Sequence, residues 1–177
     1  MAYIIQDNVL APRHELIMEY TIQNPLQIYP QVDTMMRLIF ESKGTHMYEP
    51  DFRWDTTEDP RGFFIKVYTE RGLDQFTRFK VEVLLWGKQP ADKTKSGSVK
   101  IVINGRIVTR FPTDNIFQKV FMQPFFYFYS KAYYNKIRRQ HLKWVRDGIM
   151  KLESQIRDRL NIPQAETKFE ELSPEVP

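Results

Sequence analysis

The chain has 177 residues, a formal net charge of +4 and no cysteine. This length suits a single domain with a hydrophobic core of its own. Because cysteine is absent, a disulfide framework, a thiol nucleophile and a thiolate metal site are all excluded. Aromatic residues make up 14% of the chain, a surplus that the architecture has to explain. Since no secretion signal and no span of ~18 apolar residues is evident, we expect a soluble, cytoplasmic protein.

The positive charge is distributed unevenly. Residues 163–177 carry four glutamates against one lysine, so residues 1–162 alone have a net charge of +7. We predict one folded domain over residues 1–162, followed by a disordered acidic tail over residues 163–177. A basic charge of this size is more typical of solubility than of nucleic-acid binding, and no nucleic-acid partner is predicted.

The first forty residues predict an edge strand, a half-buried strand and two short helices. Residues 1–12 are apolar without a clear period and are interpreted as an arm or edge strand. Residues 15–22 alternate between apolar and polar side chains, which is the period of a half-buried strand. Asn24-Pro25 is typical of a helix start. Because Pro30 interrupts the helical pattern, we expect a second helix over about residues 31–42.

From residue 45 the two-residue period returns. It places Tyr48, Phe52 and Trp54 on one side of a strand, and Pro50 indicates an edge position or a bulge. Polar, lysine-rich residues 87–98 predict a mobile loop, whereas Asn104-Gly105 is a strong signal for a two-residue hairpin turn. Further predicted strands are residues 63–70, 75–86, 99–103 and 106–111. We therefore expect about six antiparallel strands after the two helices.

Residues 113–161 predict a C-terminal helix of more than ten turns, with a possible kink at Pro124. Its later part carries one apolar stripe that should pack on the sheet, formed by Leu142, Val145, Ile149, Leu152, Ile156 and Leu160. Arg138 interrupts this stripe. It is interpreted either as an edge residue with its charge in solvent or as a cation that meets an anionic ligand or a carboxylate.

The aromatic run at residues 125–129 has three interpretations. Its rings fill a large core, line a ligand cavity, or form a dimer or membrane-surface face. The cations of the same helix spread widely around it, which does not favour a phosphate-binding stripe. Its acid-free basic run consists of Lys131, Lys136, Arg138, Arg139, Lys143 and Arg146.

Local catalytic and metal motifs are missing from the sequence. His14, His46 and His141 are too scattered for a local metal motif, so no metal and no cofactor is predicted. No glycine-rich phosphate loop and no nucleophile elbow occurs. Carboxylates around Arg53 point away from the Phe52 and Trp54 side, which favours a solvated face over an acid–base pair. The sequence names no catalytic residue.

The order of these elements resembles the helix-grip fold of the START and Bet v 1-like superfamily, which includes polyketide cyclases and lipid-transfer proteins. The resemblance covers about residues 13–161 and involves no specific residue motif. It implies an α+β fold in which a curved antiparallel sheet of about six or seven strands grips a long C-terminal helix. It also implies a hydrophobic cavity between them. The cavity candidates are Tyr48, Phe52, Trp54, Phe79, Val81, Phe126, Tyr129, Tyr133 and Arg138.

Three functions remain open from the sequence. The leading hypothesis is binding or transport of a hydrophobic or aromatic small molecule, or of a lipid, by a monomer or homodimer. The second is a protein-interaction module of the chaperone-activator type that uses the basic helix or the acidic tail. The third is a cyclase-like enzyme in which Arg138, His141 or a tyrosine acts as the acid. If there is a pocket, we expect it under the first half of the long helix.

Overall fold

The computed structural model describes residues 2–112 and 123–160. Within them the chain forms an antiparallel sheet and three α-helices, with short 3₁₀ helices at Pro25–Gln27 and Gly44–His46. The strands are β1 (Ala2–Asn8), β2 (Leu16–Gln23), β3 (Met47–Asp55), β4 (Arg61–Gly72), β5 (Thr77–Gln89) and β6 (Ser96–Pro112). The helices are α1 (Ile28–Ile39), α2 (Gln123–Ala132) and α3 (Tyr134–Arg159). The predicted tail, residues 163–177, lies outside the described residues.

The described sheet has the strand order β1-β6-β5-β4-β3, and β2 also pairs with β6. Strands β1 and β2 lie one after the other along the same edge of the long strand β6. The prediction of an edge strand within residues 1–12 is confirmed. The α+β class, the antiparallel sheet and the long C-terminal helix are confirmed as well. Within the described residues, however, four strands follow α1, where about six were expected.

The hairpin predicted at Asn104-Gly105 is wrong. Strand β6 continues through both residues, which pair with β5 opposite Glu82 and Val81. A type I′ turn needs positive φ at both central residues, and neither residue has it. Gly105 serves close packing instead, because an added Cβ would lie 2.6 Å from Ile149 Cδ1 of α3.

The loop predicted over residues 87–98 is much shorter in the structure. Residues 87–89 continue β5 and residues 96–98 begin β6, so only six residues connect the strands. Asp92 organises this connection, since its Oδ1 accepts hydrogen bonds from the N–H and the hydroxyl of Thr94 at 3.0 and 2.7 Å. Side-chain capping of this kind gives a short polar loop a defined turn.

Strand β3 lies at the edge of the described sheet and contains the irregularity that Pro50 predicts. Its register with β4 shifts between Tyr48 and Asp51. A bulge reverses the alternation of side chains, so Tyr48 and Phe52 point to opposite faces. The prediction of one shared face for Tyr48, Phe52 and Trp54 is therefore wrong for Tyr48, which stacks on Tyr68 with ring centroids 4.8 Å apart.

Pro30 does not break a helix. It lies in the first turn of α1, where the missing N–H removes no intrahelical hydrogen bond. The division into two helical pieces falls earlier, between the 3₁₀ helix Pro25–Gln27 and α1. Helix α1 buries an apolar stripe formed by Ile28, Val32, Met35 and Met36.

The long C-terminal helix is divided at Tyr133 into α2 and α3. The first ten residues of the predicted helix, 113–122, lie outside the described residues. The predicted stripe of α3 packs on the inner, helix-covered face of the sheet, and Val145, Ile149, Leu152 and Ile156 are fully buried. Helices α1 and α3 meet closely, because a Cβ on Gly148 would lie 2.6 Å from the Phe40 ring.

Candidate functional site

The structure does not bring the predicted cavity residues together. Phe79 and Val81 are fully buried in the core beneath α1 and α3. The Phe79 ring lies 5.7 Å from that of Phe40 and 5.6 Å from that of Trp144. Side chains therefore fill the space at this position between sheet and helix.

The candidates on the C-terminal helices lie at the end of the sheet where β6 ends and β1 pairs with it. Tyr129 packs between Phe111 and Tyr134 in an aromatic cluster, with ring centroids at 6.1 and 6.0 Å. Tyr133 is 67% exposed. Phe126 belongs to α2, but its side chain lies outside the described part of the structure. Arg138 contacts a carboxylate, Asp7 of β1, at 3.3 Å.

Phe52 and Trp54 line an open groove of about 600 Å³ at the opposite end of the sheet. Four segments form its walls: the turn before α1 and its first residues, the end of β3, the start of β4 and the connection between β5 and β6. The volume is in the range of small-molecule sites. Tyr29 contributes a third ring, 6.1 Å from Phe52 in an edge-to-face contact.

Hydrogen bonds fix the walls of this groove. Buried Gln89 accepts a hydrogen bond from the Leu26 N–H at 3.4 Å and donates one to the Pro90 carbonyl at 3.1 Å. The Ala91 N–H donates to Asp59 Oδ1 at 2.9 Å. The turn before α1, the β3–β4 turn and the β5–β6 connection are thereby held at defined positions, which gives a largely pre-formed site.

The groove combines apolar rings with two cations. Phe52 is 49% exposed, an unusual position for a phenylalanine on the inner face of a sheet. Arg61 and Lys93 also line the groove. Neither forms an ion pair with any residue in 2–112 or 123–160. Such an arrangement suits a ligand with an apolar body and an anionic group.

Of the residues that line this groove, the sequence named only Phe52 and Trp54 as candidates. No local pattern marks Tyr29 or Arg61 as a site residue. The signal available was the surplus of aromatic and cationic residues on either side of the Pro60 and Pro90 turns. Their convergence depends on strand pairing, which places Arg61 directly opposite Gln89.

A second cleft of about 510 Å³ is lined by residues of β2, β4, β5 and β6, including Trp86. Its Glu19 and Lys100 form an ion pair at 2.7 Å, and Lys100 lies over the Trp86 ring at 5.8 Å. Because these side chains already satisfy one another, the groove at Phe52 and Trp54 is the stronger candidate.

A polar cluster ties α3 to the turn between β4 and β5. Asp74 Oδ2 accepts hydrogen bonds from the Tyr134 hydroxyl at 2.5 Å and from His141 Nε2 at 2.8 Å. Its Oδ1 accepts the N–H groups of Phe76 and Thr77 at 2.7 and 2.8 Å. Four donors therefore converge on one carboxylate.

The pKa values in this cluster follow from the same contacts. Burial alone would raise the pKa of Asp74, but the hydrogen bonds from Tyr134, the Phe76 N–H, His141 and the Thr77 N–H lower it below the ordinary value. Burial, and then the hydrogen bond to Asp74, raises the pKa of Tyr134. At neutral pH the carboxylate is ionised and the phenol keeps its proton.

The pairing of His141 with Asp74 is one that general bases use, but it lies far from the groove. Strand β5 begins beside the cluster at Thr77 and ends at the groove with Gln89, a distance of about 40 Å at roughly 3.3 Å per residue. The two features cannot act on one small ligand. The cluster's clearest role is to anchor the junction of α2 and α3 to the sheet.

No group of three or more potential metal-binding side chains occurs among the described residues. In the same part of the chain, no helix has the length and apolar character needed to cross a membrane.

No protein-family model matches this sequence, and no curated protein is significantly similar to it. The fold and the groove together define an α+β protein whose antiparallel sheet is covered by helices on one face and carries an aromatic, cationic groove at one end.

Proposed function

We propose that this protein binds a small molecule with an apolar, ring-containing body and an anionic group in the groove at Phe52 and Trp54. The observation that carries the proposal is the exposed Phe52 ring beside Trp54 and Tyr29 in a groove of about 600 Å³. The element order also supports it, because an antiparallel sheet with a long C-terminal helix is compatible with the helix-grip resemblance.

The rings and the cations have separate tasks in this proposal. Trp54 and Phe52 offer a flat apolar surface against which a ring or chain removes its own surface from water. Arg61 and Lys93 attract the anionic group at the edge of the groove. This site lies at the opposite end of the sheet from the position expected under the first half of the long helix.

Titration with anilinonaphthalene sulfonate, an aromatic fluorophore with one anionic group, tests the proposal. Trp54→Ala should raise its Kd by about tenfold, since loss of an aromatic contact costs about 0.5–1.5 kcal/mol beyond the buried area. The control is Tyr48→Ala, because Tyr48 is an exposed aromatic residue on the outer face of the same strand. That control should leave the Kd unchanged.

A second titration isolates the role of charge. Arg61→Gln should weaken binding of the anionic fluorophore by about tenfold, as expected for loss of a charge-assisted contact. Binding of a neutral lipophilic dye such as Nile red should be unaffected by the same substitution. Equal weakening by Trp54→Ala and Tyr48→Ala, or no saturable binding of either dye, would refute the proposed site.

A further inference from the structure

Helix α2 exposes three of its aromatic residues and turns a polar residue inward. At about 100° per residue, Tyr127, Phe128 and Phe125 fall within one arc of roughly 160°, and all three are exposed. Ser130 lies on the opposite side and is buried, where its hydroxyl donates to the Tyr127 carbonyl at 2.8 Å. This pattern is the reverse of the one that a core-facing helix shows.

The first half of α3 carries a basic stripe on its exposed side. Lys136, Arg139, Lys143 and Arg146 are all exposed, and the same geometry places them within an arc of about 80°. Arg138 does not belong to this stripe, because it turns inward to Asp7. Lys131 is also exposed but belongs to α2, so the stripe contains four of the six cations of the acid-free run.

The aromatic arc and the basic stripe lie on one side of the molecule. Tyr133, between the two helices, keeps right-handed helical backbone angles, and its N–H bonds the Tyr129 carbonyl at 3.0 Å. The helical phase is therefore nearly retained across the junction, and the two arcs overlap. Residues 123–146 contain no acidic residue. The result is an outward surface that is aromatic at α2 and cationic along α3.

We propose that this surface, formed by α2 and the first half of α3, docks on an anionic lipid membrane. Exposed aromatic rings enter the boundary between headgroups and acyl chains, and cations beside them pair with anionic headgroups. Charge complementarity selects this partner over a second copy of the chain, because two identical basic stripes facing each other would repel. The proposal is independent of the groove.

The separation of rings from cations favours a membrane over nucleic acid. Single-stranded nucleic acid repeats a base and a phosphate at every nucleotide, so its binding surfaces combine stacking rings with a cationic groove along the strand. Here three exposed rings lie on α2 and four exposed cations lie on α3, while Lys131 is the single cation of α2 and lies over the Tyr127 ring at 5.8 Å. A lipid surface, with an apolar interior beside an anionic layer, matches that division.

Co-sedimentation of the full chain with vesicles tests the proposal. We expect binding to vesicles of phosphatidylcholine and phosphatidylserine in equal parts, and little binding to phosphatidylcholine alone. Phe128→Ser should lower the partition coefficient by about tenfold. The matched control is Leu38→Ser, because Leu38 is equally exposed, at 74% against 70% for Phe128, but lies on α1. That control should bind as the parent chain does.

The charge contribution has its own pair of variants. Arg139→Gln combined with Lys143→Gln should lower partitioning by about 25-fold, at roughly fivefold for each cation near an anionic surface. Lys151→Gln, an exposed lysine outside the stripe, should have no such effect. When anionic vesicles are added, the tryptophan introduced by Phe128→Trp should shift its fluorescence emission to the blue, and brominated lipids should quench it. The tryptophan introduced by Leu38→Trp should show neither change.

Four results would overturn the proposal. They are absence of binding to the anionic vesicles, equal binding to both kinds of vesicle, equal loss in Phe128→Ser and Leu38→Ser, and an unquenched Phe128→Trp. Displacement of the vesicles by a single-stranded oligonucleotide of higher affinity would reassign the surface to nucleic acid. A concentration-dependent dimer dissolved by Phe128→Ser would reassign it to a second copy.

Discussion

Substitution of Gly105 by alanine tests whether this residue marks a turn or a close approach of strand and helix. The added Cβ would lie 2.6 Å from Ile149 Cδ1 and 3.4 Å from Val9 Cβ, and both neighbours are buried. Overpacking a core typically costs about 1–3 kcal/mol. Because alanine lowers the conformational entropy of the unfolded chain, about 0.4–1 kcal/mol of this overpacking cost is offset. We expect Gly105→Ala to lower the free energy of unfolding by about 1–2 kcal/mol.

The decisive measurement repeats this substitution in an Ile149→Val background, which lacks the Cδ1 atom. Ile149→Val by itself should cost about 0.5–1.5 kcal/mol. Because the clash is removed, Gly105→Ala should then cost less than about 0.5 kcal/mol, giving a coupling energy of about 1 kcal/mol. Urea unfolding of the four chains measures it, with Gly62→Ala as a control whose added Cβ has its nearest neighbour at 3.9 Å. The same loss in both backgrounds would mean that backbone conformation, not contact with α3, makes this glycine necessary.

Two further predictions concern the charged groups that hold α3. The lowered pKa of Asp74 means that its ionised form stabilises the fold above the ordinary pKa, and that this stabilisation is lost as the pH falls through the folded value. Asp74→Asn should therefore lower the free energy of unfolding in urea by about 2 kcal/mol at neutral pH. The difference in stability between this variant and the parent should shrink below about pH 4. A difference that grows on acidification would contradict this prediction. Arg138→Leu should destabilise by about 1–2 kcal/mol because it leaves the half-buried Asp7 without its cation. When Asp7→Leu is added to Arg138→Leu, thermal unfolding should show that most of the lost stability is restored. A double variant less stable than Arg138→Leu alone would refute the pairing.

Most strands and the core of α3 could be predicted from the sequence because their side chains repeat with a fixed period. Met18 on β2 and Val145, Ile149 and Leu152 on α3 are buried as the patterns indicate. Local signals failed where packing overrides them. Asn104-Gly105 has the composition of a hairpin turn, yet the close contact of Gly105 with α3 makes it the middle of a strand.

The candidate groove was only partly predictable. Trp54 and Phe52 were cavity candidates through the helix-grip resemblance, and both line the groove. Tyr48 was grouped with them because the alternation of side chains was assumed to continue past Pro50. The bulge between Tyr48 and Asp51 reverses that alternation, and no local signal in the sequence shows where it does so. Tyr29, Arg61 and Lys93 come from three other segments. Their convergence follows from strand pairing between distant residues, which composition and periodicity do not encode.

The sequence by itself determined the class of the fold, because hydrophobic periods of 2 and 3.6 residues arise from the local geometry of the chain. It also determined that the C-terminal helices combine many rings with many cations. Only the tertiary structure decided which of these side chains face outward. Of the six cations, four form an exposed stripe on α3, Lys131 is exposed on α2 and Arg138 is paired with Asp7. Burial also shows that three rings of α2 face outward. That division depends on contacts with β1 and with the end of the sheet, so it follows from long-range packing.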